Sequence, residues 1–557
     1  MLLLAVVLSD VFTRLIPYDI PRPLVQIALG ALIGVSGRLG VTLDPQIFFL
    51  LFLPPLLFLD GWRIPPEELF KEKGTVLRLA LGLVLFTIVG MGFFIHWLLP
   101  AMPLPIAFAL AAVLSPTDPI AVSAIARRVP MSRRMMRILE GESLLNDASG
   151  LVCFRFAVAA AMTGAFSMWG AALDFLWTAA GGIAVGVGLT FALTWFKNVV
   201  SRRLGESSGS QILISLLIPF GCYLLAEKLH SSGILAAVAA GLTMSFVESS
   251  GQARAATRIR RNTVWDMIQF TANGVIFVLL GEQLHGIVSG ATTTVQLIGH
   301  ANPVWLVVYV IAIALALAAL RFAWVFVSLR LLLFQSRAAT DESVAASLLA
   351  AEIAPAGAPV RSGWRLVTVM SLAGVRGAVT LAGVLSLPLL LPSGAAFPAR
   401  DLAILLAMGV IIVSLLAASI GLPLLLKGLD MPVDPALDAE ETAARIAAAH
   451  AAIAEIERIE RARTDTQTND DNDIVVTVAA AARVMDLYRA RIESREGDAE
   501  AIAVAKRGEL AEREMRLAGL EAERAYLFGE LRARRLGSDT AKKLIRELDL
   551  LEARHTV

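Results

Sequence analysis

Ser115-Pro116-Thr117-Asp118-Pro119 lies in the middle of an apolar run from about residue 103 to 126. Two prolines flank a Thr-Asp pair there. Each proline removes a backbone donor and obstructs a helix, so carbonyls and hydroxyls are set free. An ordinary soluble core would reject such a stretch. In a membrane, irregular backbone survives only against protein or a wet cavity. Freed carbonyls, the Thr117 hydroxyl and the Asp118 carboxylate together form a set of hard oxygens that suits a small cation. The plainer alternative is a proline kink whose Asp118 caps the following half-helix.

Outward from this stretch the chain is membrane-like. Of its 557 residues, 57% are hydrophobic and 17% charged, with a mean hydropathy of +0.69. Soluble domains are roughly 45–50% apolar and about 25% charged, so a disordered chain, a disulfide scaffold and an ordinary cytosolic enzyme are excluded. A span needs about 20 residues. Thirteen such segments are read at about 2–16, 22–37, 45–61, 75–99, 103–126, 138–163, 168–196, 210–229, 233–248, 264–284, 303–334, 365–391 and 402–426. They are too long and too uniformly apolar for barrel strands, so the fold class is an all-α polytopic membrane protein. The first segment reads as a helix that tilts or begins late, not as a cleaved signal. Cys153 and Cys222 both fall inside spans, which excludes a disulfide framework.

The net charge of +1 is a cancellation. Residues 1–429 carry 29 Lys+Arg against 21 Asp+Glu; residues 430–557 carry 20 against 27. Within the first part, the loops after odd-numbered segments hold 23 basic residues and those after even-numbered segments hold 3. The positive-inside rule then puts the N-terminus outside and the C-terminal part in the cytoplasm. The expected domains are therefore a transmembrane part, 1–429, and an acidic helical tail, 430–557. A helical pattern is expected from Pro435 to Arg463 and again from about Val475 to Arg535, with a polar linker at about 464–473 between them and a last short helix from Ser538. No zinc spacing, phosphate loop or nucleotide fingerprint appears, and no nucleic-acid partner is expected.

Ionisable residues within the spans are expensive and need a partner or a task. In segment six, Ser143, Asn146 and Asp147 fall at i, i+3 and i+4, on one helical face. A hydroxyl, an amide and a carboxylate stacked this way can ligate a dehydrated ion; the alternative is a buried polar network between helices. In segment twelve, Gly374-Val375-Arg376-Gly377 places a permanently charged guanidinium in the membrane. Arg376 needs a carboxylate or carbonyls, and Glu142 is the expected partner. Asp60 ends a long apolar run and faces either a cavity or the interface. Arg155, two turns beyond Asp147, either snorkels or pairs with a carboxylate that the sequence does not identify. Segments five and twelve are both interrupted and lie seven spans apart, the pattern of an inverted-repeat transporter with its site between the halves.

Over roughly residues 1–430 the chain resembles the sodium/proton exchangers of the cation:proton antiporter superfamily, in the NhaP/NHE branch. The likeness rests on Pro21-Arg22-Pro23-Leu24-Val25-Gln26, Leu53-Pro54-Pro55-Leu56-Leu57-Phe58, Ser115-Pro116-Thr117-Asp118-Pro119, Glu142-Ser143-Leu144-Leu145-Asn146-Asp147 and Gly374-Val375-Arg376-Gly377, in the expected order. It implies thirteen helices with inverted repeats, broken crossing helices five and twelve, and a dimerisation domain beside a mobile core, hence a homodimer in a bacterial inner membrane. It implies that Asp147 is the carboxylate shared by proton and cation, with Asp118, Thr117 and Ser143 as its neighbours. Asn146 stands where electrogenic relatives carry a second Asp, which implies electroneutral exchange. Glu142 and Arg376 would brace the core, and Asp60 would lie in the ion passage.

The expected function is secondary antiport of Na⁺, or of K⁺ or Li⁺, against H⁺, serving pH and sodium homeostasis. It needs neither a cofactor nor enzyme catalysis. Asp147 would hold a proton or a dehydrated cation, but not both. Two rival readings are a channel or membrane sensor with a signalling tail, and an intramembrane aspartyl protease using Asp118 and Asp147. The second lacks the Gly-x-Gly-Asp context.

Overall fold

A computed structural model describes residues 1–15, 20–35, 45–63, 82–118, 133–163, 168–204, 207–249, 255–289, 302, 304–338, 363–426, 435–466, 471–496, 499–533 and 535–556. These residues are almost wholly helical. The chain divides into two units, Met1–Pro432 and Val433–Val557.

The first unit begins with α1 (Leu2–Leu15), α2 (Arg22–Val35) and α3 (Pro45–Arg63). Next come α4 (Leu83–Leu98), α5 (Leu104–Leu114) and α6 (Arg133–Thr163), then α7 (Met168–Leu204), α8 (Ser208–Lys228), α9 (Gly233–Ser249) and α10 (Ala255–Ser289). The unit closes with α11 (Val304–Ala338), α12 (Gly363–Leu372), α13 (Ala378–Leu385) and α14 (Arg400–Leu426). Each expected apolar segment therefore contains a helix, and segment twelve contains two. Among the described residues, five stretches are long and apolar enough to cross a membrane: 176–203, 208–228, 257–284, 304–328 and 400–426. α5, α12 and α13 hold 11, 10 and 8 residues, about half of what a span needs or less.

Packing sorts these helices into two groups. α4, α5, α6, α11, α12, α13 and α14 pack mainly on one another. So do α1, α2, α3, α7, α8, α9 and α10. The second group is built on backbone contact. At Gly241 of α9 a Cβ would overlap the Phe58 carbonyl of α3, and at Gly61 of α3 it would lie 2.7 Å from the Val238 carbonyl of α9. Gly30 of α2 and Gly281 of α10 each face a carbonyl of the other helix in the same way. Between membrane helices, where no hydrophobic driving force separates protein from lipid, close approach of this kind is the main source of association. The outer surfaces are apolar: Leu176, Trp177, Trp195, Phe196, Leu213 and Leu217 are all exposed. A surface of this character suits lipid, not water.

The second unit is two helical hairpins. α15 (Pro435–Thr466) pairs with α16 (Asp471–Glu493), and α17 (Ala499–Arg532) pairs with α18 (Ser538–Thr556). Two expectations are corrected here. Residues 464–466 continue α15, with the Thr464 hydroxyl donating to the Glu460 carbonyl at 2.8 Å. Residues 471–473 already belong to α16, so the linker read at 464–473 is shorter than expected. The helix expected from Val475 to Arg535 is broken after Glu493, where Ser494, Arg495 and Glu496 form a turn just before Gly497. Glycine costs about 1 kcal/mol in a helix interior.

Candidate functional site

α5 stops at Leu114, and Ser115 is its C-cap, donating its backbone N–H to the Ala111 carbonyl at 2.9 Å. Pro116 has no N–H with which to extend the ladder, and Pro116, Thr117 and Asp118 are non-helical. α6 passes directly over this break at Gly150, where a Cβ would lie 2.5 Å from the Pro116 ring and 2.9 Å from the Ala112 carbonyl. Pro119 and the second half of segment five lie outside the described residues.

The second break runs from Ala373 to Gly377, between α12 and α13. The two breaks touch. The Asp118 N–H donates to the Val375 carbonyl at 2.7 Å. The Asp118 carboxylate occupies the space where any side chain at Gly377 would begin. Gly377 is the N-cap of α13, so this carboxylate lies against the positive end of a helix dipole. The opposite ends of the half-helices meet cations. Arg376 donates Nε–H to the carbonyl of Leu114, the last residue of α5, at 3.0 Å, and Nη1 to the Gly374 carbonyl. Arg321, from α11, donates Nε–H to the Met370 carbonyl in the last turn of α12 at 3.1 Å. Each arginine thus satisfies an orphan carbonyl and opposes the negative end of a dipole.

α6 supplies the remaining groups. Ser143 donates its hydroxyl proton to the Thr117 carbonyl at 2.6 Å, and Asn146 Nδ2 donates to the Thr117 hydroxyl at 3.1 Å. Ser143, Asn146 and Asp147 do share one face, and that face is turned onto the first break. All three are buried, as is Thr117. Among the described residues no hydrogen bond or ion pair involves the Asp147 carboxylate, and the Asn146 Oδ1 and Ser115 Oγ atoms are buried without partners. The charges that act on Asp147 are those of Asp60, from α3, and Asp118. α3 belongs to the other helix group, so Asp60 brings that group's carboxylate to the site. Asp60 itself is only partly buried.

One expected pairing is corrected. Glu142 pairs with Arg321, at N···O separations of 2.6 and 3.0 Å, with both side chains 3% exposed. Arg376 does not bond to Glu142. Its guanidinium is taken by carbonyls at the two breaks, although the Glu142 charge still acts on it. Arg321 reaches Glu142 by crossing Gly374, where a Cβ would lie 2.8 Å from its Cδ and Nε atoms. The glycine before Arg376 therefore serves a different arginine.

Residues 1–428 match the family described as sodium/hydrogen exchanger, transmembrane. The chain belongs to that family. It is an integral membrane protein and a monovalent cation:proton antiporter. It is 41% identical over 560 residues to the uncharacterized Na(+)/H(+) exchanger YjcE of Escherichia coli, covering 99% of this chain and 97% of that one. It is 42% identical over 443 residues to a sodium, potassium, lithium and rubidium/H(+) antiporter of Bacillus pumilus, covering 78% of this chain and 62% of the relative. Among solved structures it resembles the sodium proton antiporter MjNhaP1 of Methanocaldococcus jannaschii, with a TM-score of 0.54 at 18% identity. That match covers 75% of this chain and 97% of the other, and shows a shared fold.

Sequence reasoning missed three parts of this exchanger. Arg321 was one charge in a uniformly apolar segment, which was itself a signal that it had a buried partner. Gly150 left no motif. Glu227, at the end of its apolar segment, pairs with Arg155 at 2.9 Å, which settles the choice left open for that arginine.

Proposed function

We propose that this exchanger couples one monovalent cation to one proton through Asp147, with Na⁺ as its first substrate and K⁺ and Li⁺ as further ones. The observation that carries the reading is a buried carboxylate without a hydrogen-bond or ion-pair partner among the described residues, on the helix that covers the end of α5. A charged carboxylate out of water needs compensation. Asp147 has two ways to obtain it: a proton, or a cation that has left its own water behind. Binding of the cation releases the proton and binding of the proton releases the cation, so the site carries the same net charge in both states. With Asn146 in place of a second carboxylate, exchange is electroneutral.

Asn146 Oδ1 is an acceptor without a donor among the described residues. Such an atom costs about 1–3 kcal/mol when buried unsatisfied, and a bound cation would satisfy it. Asp118, Thr117 and Ser143 complete the surroundings. Asp118 and Asp60 add negative charge that concentrates cations near the site. Arg376 and the Glu142–Arg321 pair hold the breaks in register. No ATP or redox cofactor enters this scheme.

Alternating access follows if the α4–α6 and α11–α14 group moves against the α1–α3 and α7–α10 group while carrying the site. The second group, with its backbone-close glycine contacts, is the stationary scaffold and the homodimer surface. Thirteen spans, counting α12 and α13 as one, form two inverted repeats that pair segment five with segment twelve. The N-terminus is outside and the tail cytoplasmic, in a bacterial inner membrane, where the exchanger serves pH and sodium homeostasis. The relative from Bacillus pumilus, named for four alkali cations, supports a site that tolerates several.

Proton release from acidified proteoliposomes, recorded on adding NaCl, KCl and LiCl separately, tests this reading. Sodium should give release that is unchanged when the membrane potential is clamped, and Asp147→Asn protein should give none. Release by Asp147→Asn at the wild-type rate would refute the reading.

A further inference from the structure

Arg155 and Glu227 are a charged pair that joins the two helix groups. Arg155 is on α6, eight residues beyond Asp147, or about 12 Å further along the helix. Glu227 is in the last turn of α8. The Arg155 Nη1 to Glu227 Oε1 separation is 2.9 Å, with the side chains 39% and 37% exposed. The Arg155 charge also acts on Tyr223, one turn before Glu227 on the same helix. α6 packs on the other group chiefly along α3 and α9, so the contact to α8 is made by reaching side chains.

Glu227 is anchored independently of Arg155. Its Oε1 accepts the N–H of Gly233, the first residue of α9, at 3.1 Å. A Cβ at Gly233 would lie 2.7 Å from the Tyr223 ring and 2.9 Å from that same oxygen. The carboxylate is thus seated on a helix N-terminus, where the dipole favours it. If Arg155 withdraws, Glu227 keeps this bond and stays in place. The buried arginines differ: Arg321 and Arg376 hold partners inside their own group and would strand charges if they left. A half-exposed pair is weak, which is what a contact broken in every cycle requires.

We propose that Arg155 and Glu227 form an outer latch that closes the pathway on the side opposite the cytoplasmic loops and opens whenever the site faces outward. The proposal rests on the exchange and orientation read above. Arg155 and Glu227 are positioning residues: they bias which side the site faces and do not touch the ion. Apparent affinity falls in proportion to the population of the competent state. Weakening the latch therefore raises the outward-open population and lowers the external KM.

The test is exchange by the full chain in proteoliposomes, with the cation supplied from either side. Glu227→Gln keeps an oxygen for the Gly233 N–H and removes the charge. It should lower the external KM by about twofold to fivefold, the range expected for a half-exposed ion pair, and should not lower the internal KM. Arg155→Ala should do the same, and Arg155→Lys should restore the wild-type value. In a background carrying Cys153→Ser and Cys222→Ser, a bifunctional thiol reagent joining Arg155→Cys to Glu227→Cys should stop exchange until it is reduced. An external KM unchanged in Glu227→Gln and Arg155→Ala, equal shifts on both sides, or undiminished exchange in the cross-linked protein would each overturn the latch while wild-type exchange stands. Absence of wild-type exchange would instead overturn the reading on which the latch rests.

Discussion

The α3–α9 contact and the contact between the chain after α5 and the α12–α13 interruption both depend on glycine, but what fills the space differs. At Gly241 and Gly61 the neighbours are backbone carbonyls of unbroken helices. At Gly377 the neighbour is the Asp118 carboxylate, and at Gly374 it is the Arg321 guanidinium stem. Missing side chains bring helix axes together in the first region and admit charged side chains to broken backbone in the second. The first region joins two helices over much of their length. The second leaves carboxylates, orphan carbonyls and arginines where a continuous helix would have none. The proposed exchange site lies where regular backbone hydrogen bonding has been interrupted, and the proposed scaffold lies where it has not.

The largest effect expected from breaking this comparison is at Arg321. Arg321→Ala leaves Glu142 buried and uncompensated, and removing one member of a buried pair costs about 3–5 kcal/mol. Thermal unfolding of the purified full chain should show a large loss of stability, much of it recovered in Glu142→Gln/Arg321→Met, where no charge is stranded. A smaller effect separates the two kinds of glycine. Overpacking costs typically about 1–3 kcal/mol, but its consequences should differ by region. Gly241→Ala pushes α9 away from α3 and should lower thermal stability. Gly377→Ala displaces the Asp118 side chain, so exchange should fall steeply while most of the stability is retained. Equal losses of stability and activity in both variants would remove the distinction.

Much of this was legible beforehand, for physical reasons. Apolar runs of membrane length announce helices whatever their partners, and each of the thirteen segments contains one. The end of α5 and the interruption between α12 and α13 were legible because proline and glycine act locally, through a missing donor or a missing Cβ. Partners across space were less so. Arg376 was assigned to Glu142 because both are charges in spans, but which arginine reaches a carboxylate depends on the route past Gly374, and only packing sets that. Arg155 found no partner in the sequence because Glu227 stands at the end of its apolar segment, with no pattern that links it to α6. In the tail, the Ala-, Glu- and Arg-rich pattern runs through Gly497 without interruption, so periodicity alone could not show the turn at 494–496.

The central claim is that one carboxylate, Asp147, is shared by proton and cation. The most direct measurement is the sodium concentration giving half-maximal exchange in proteoliposomes, followed as the pH is lowered. A ligand that must lose its proton to bind a metal ion makes affinity fall with pH. For a single shared carboxylate this concentration should rise by about tenfold for each unit of pH once the group is mostly protonated, with an unchanged maximal rate at saturating sodium. A half-saturating concentration that stays flat with pH would mean separate sites for the two ions and would contradict the assignment of Asp147.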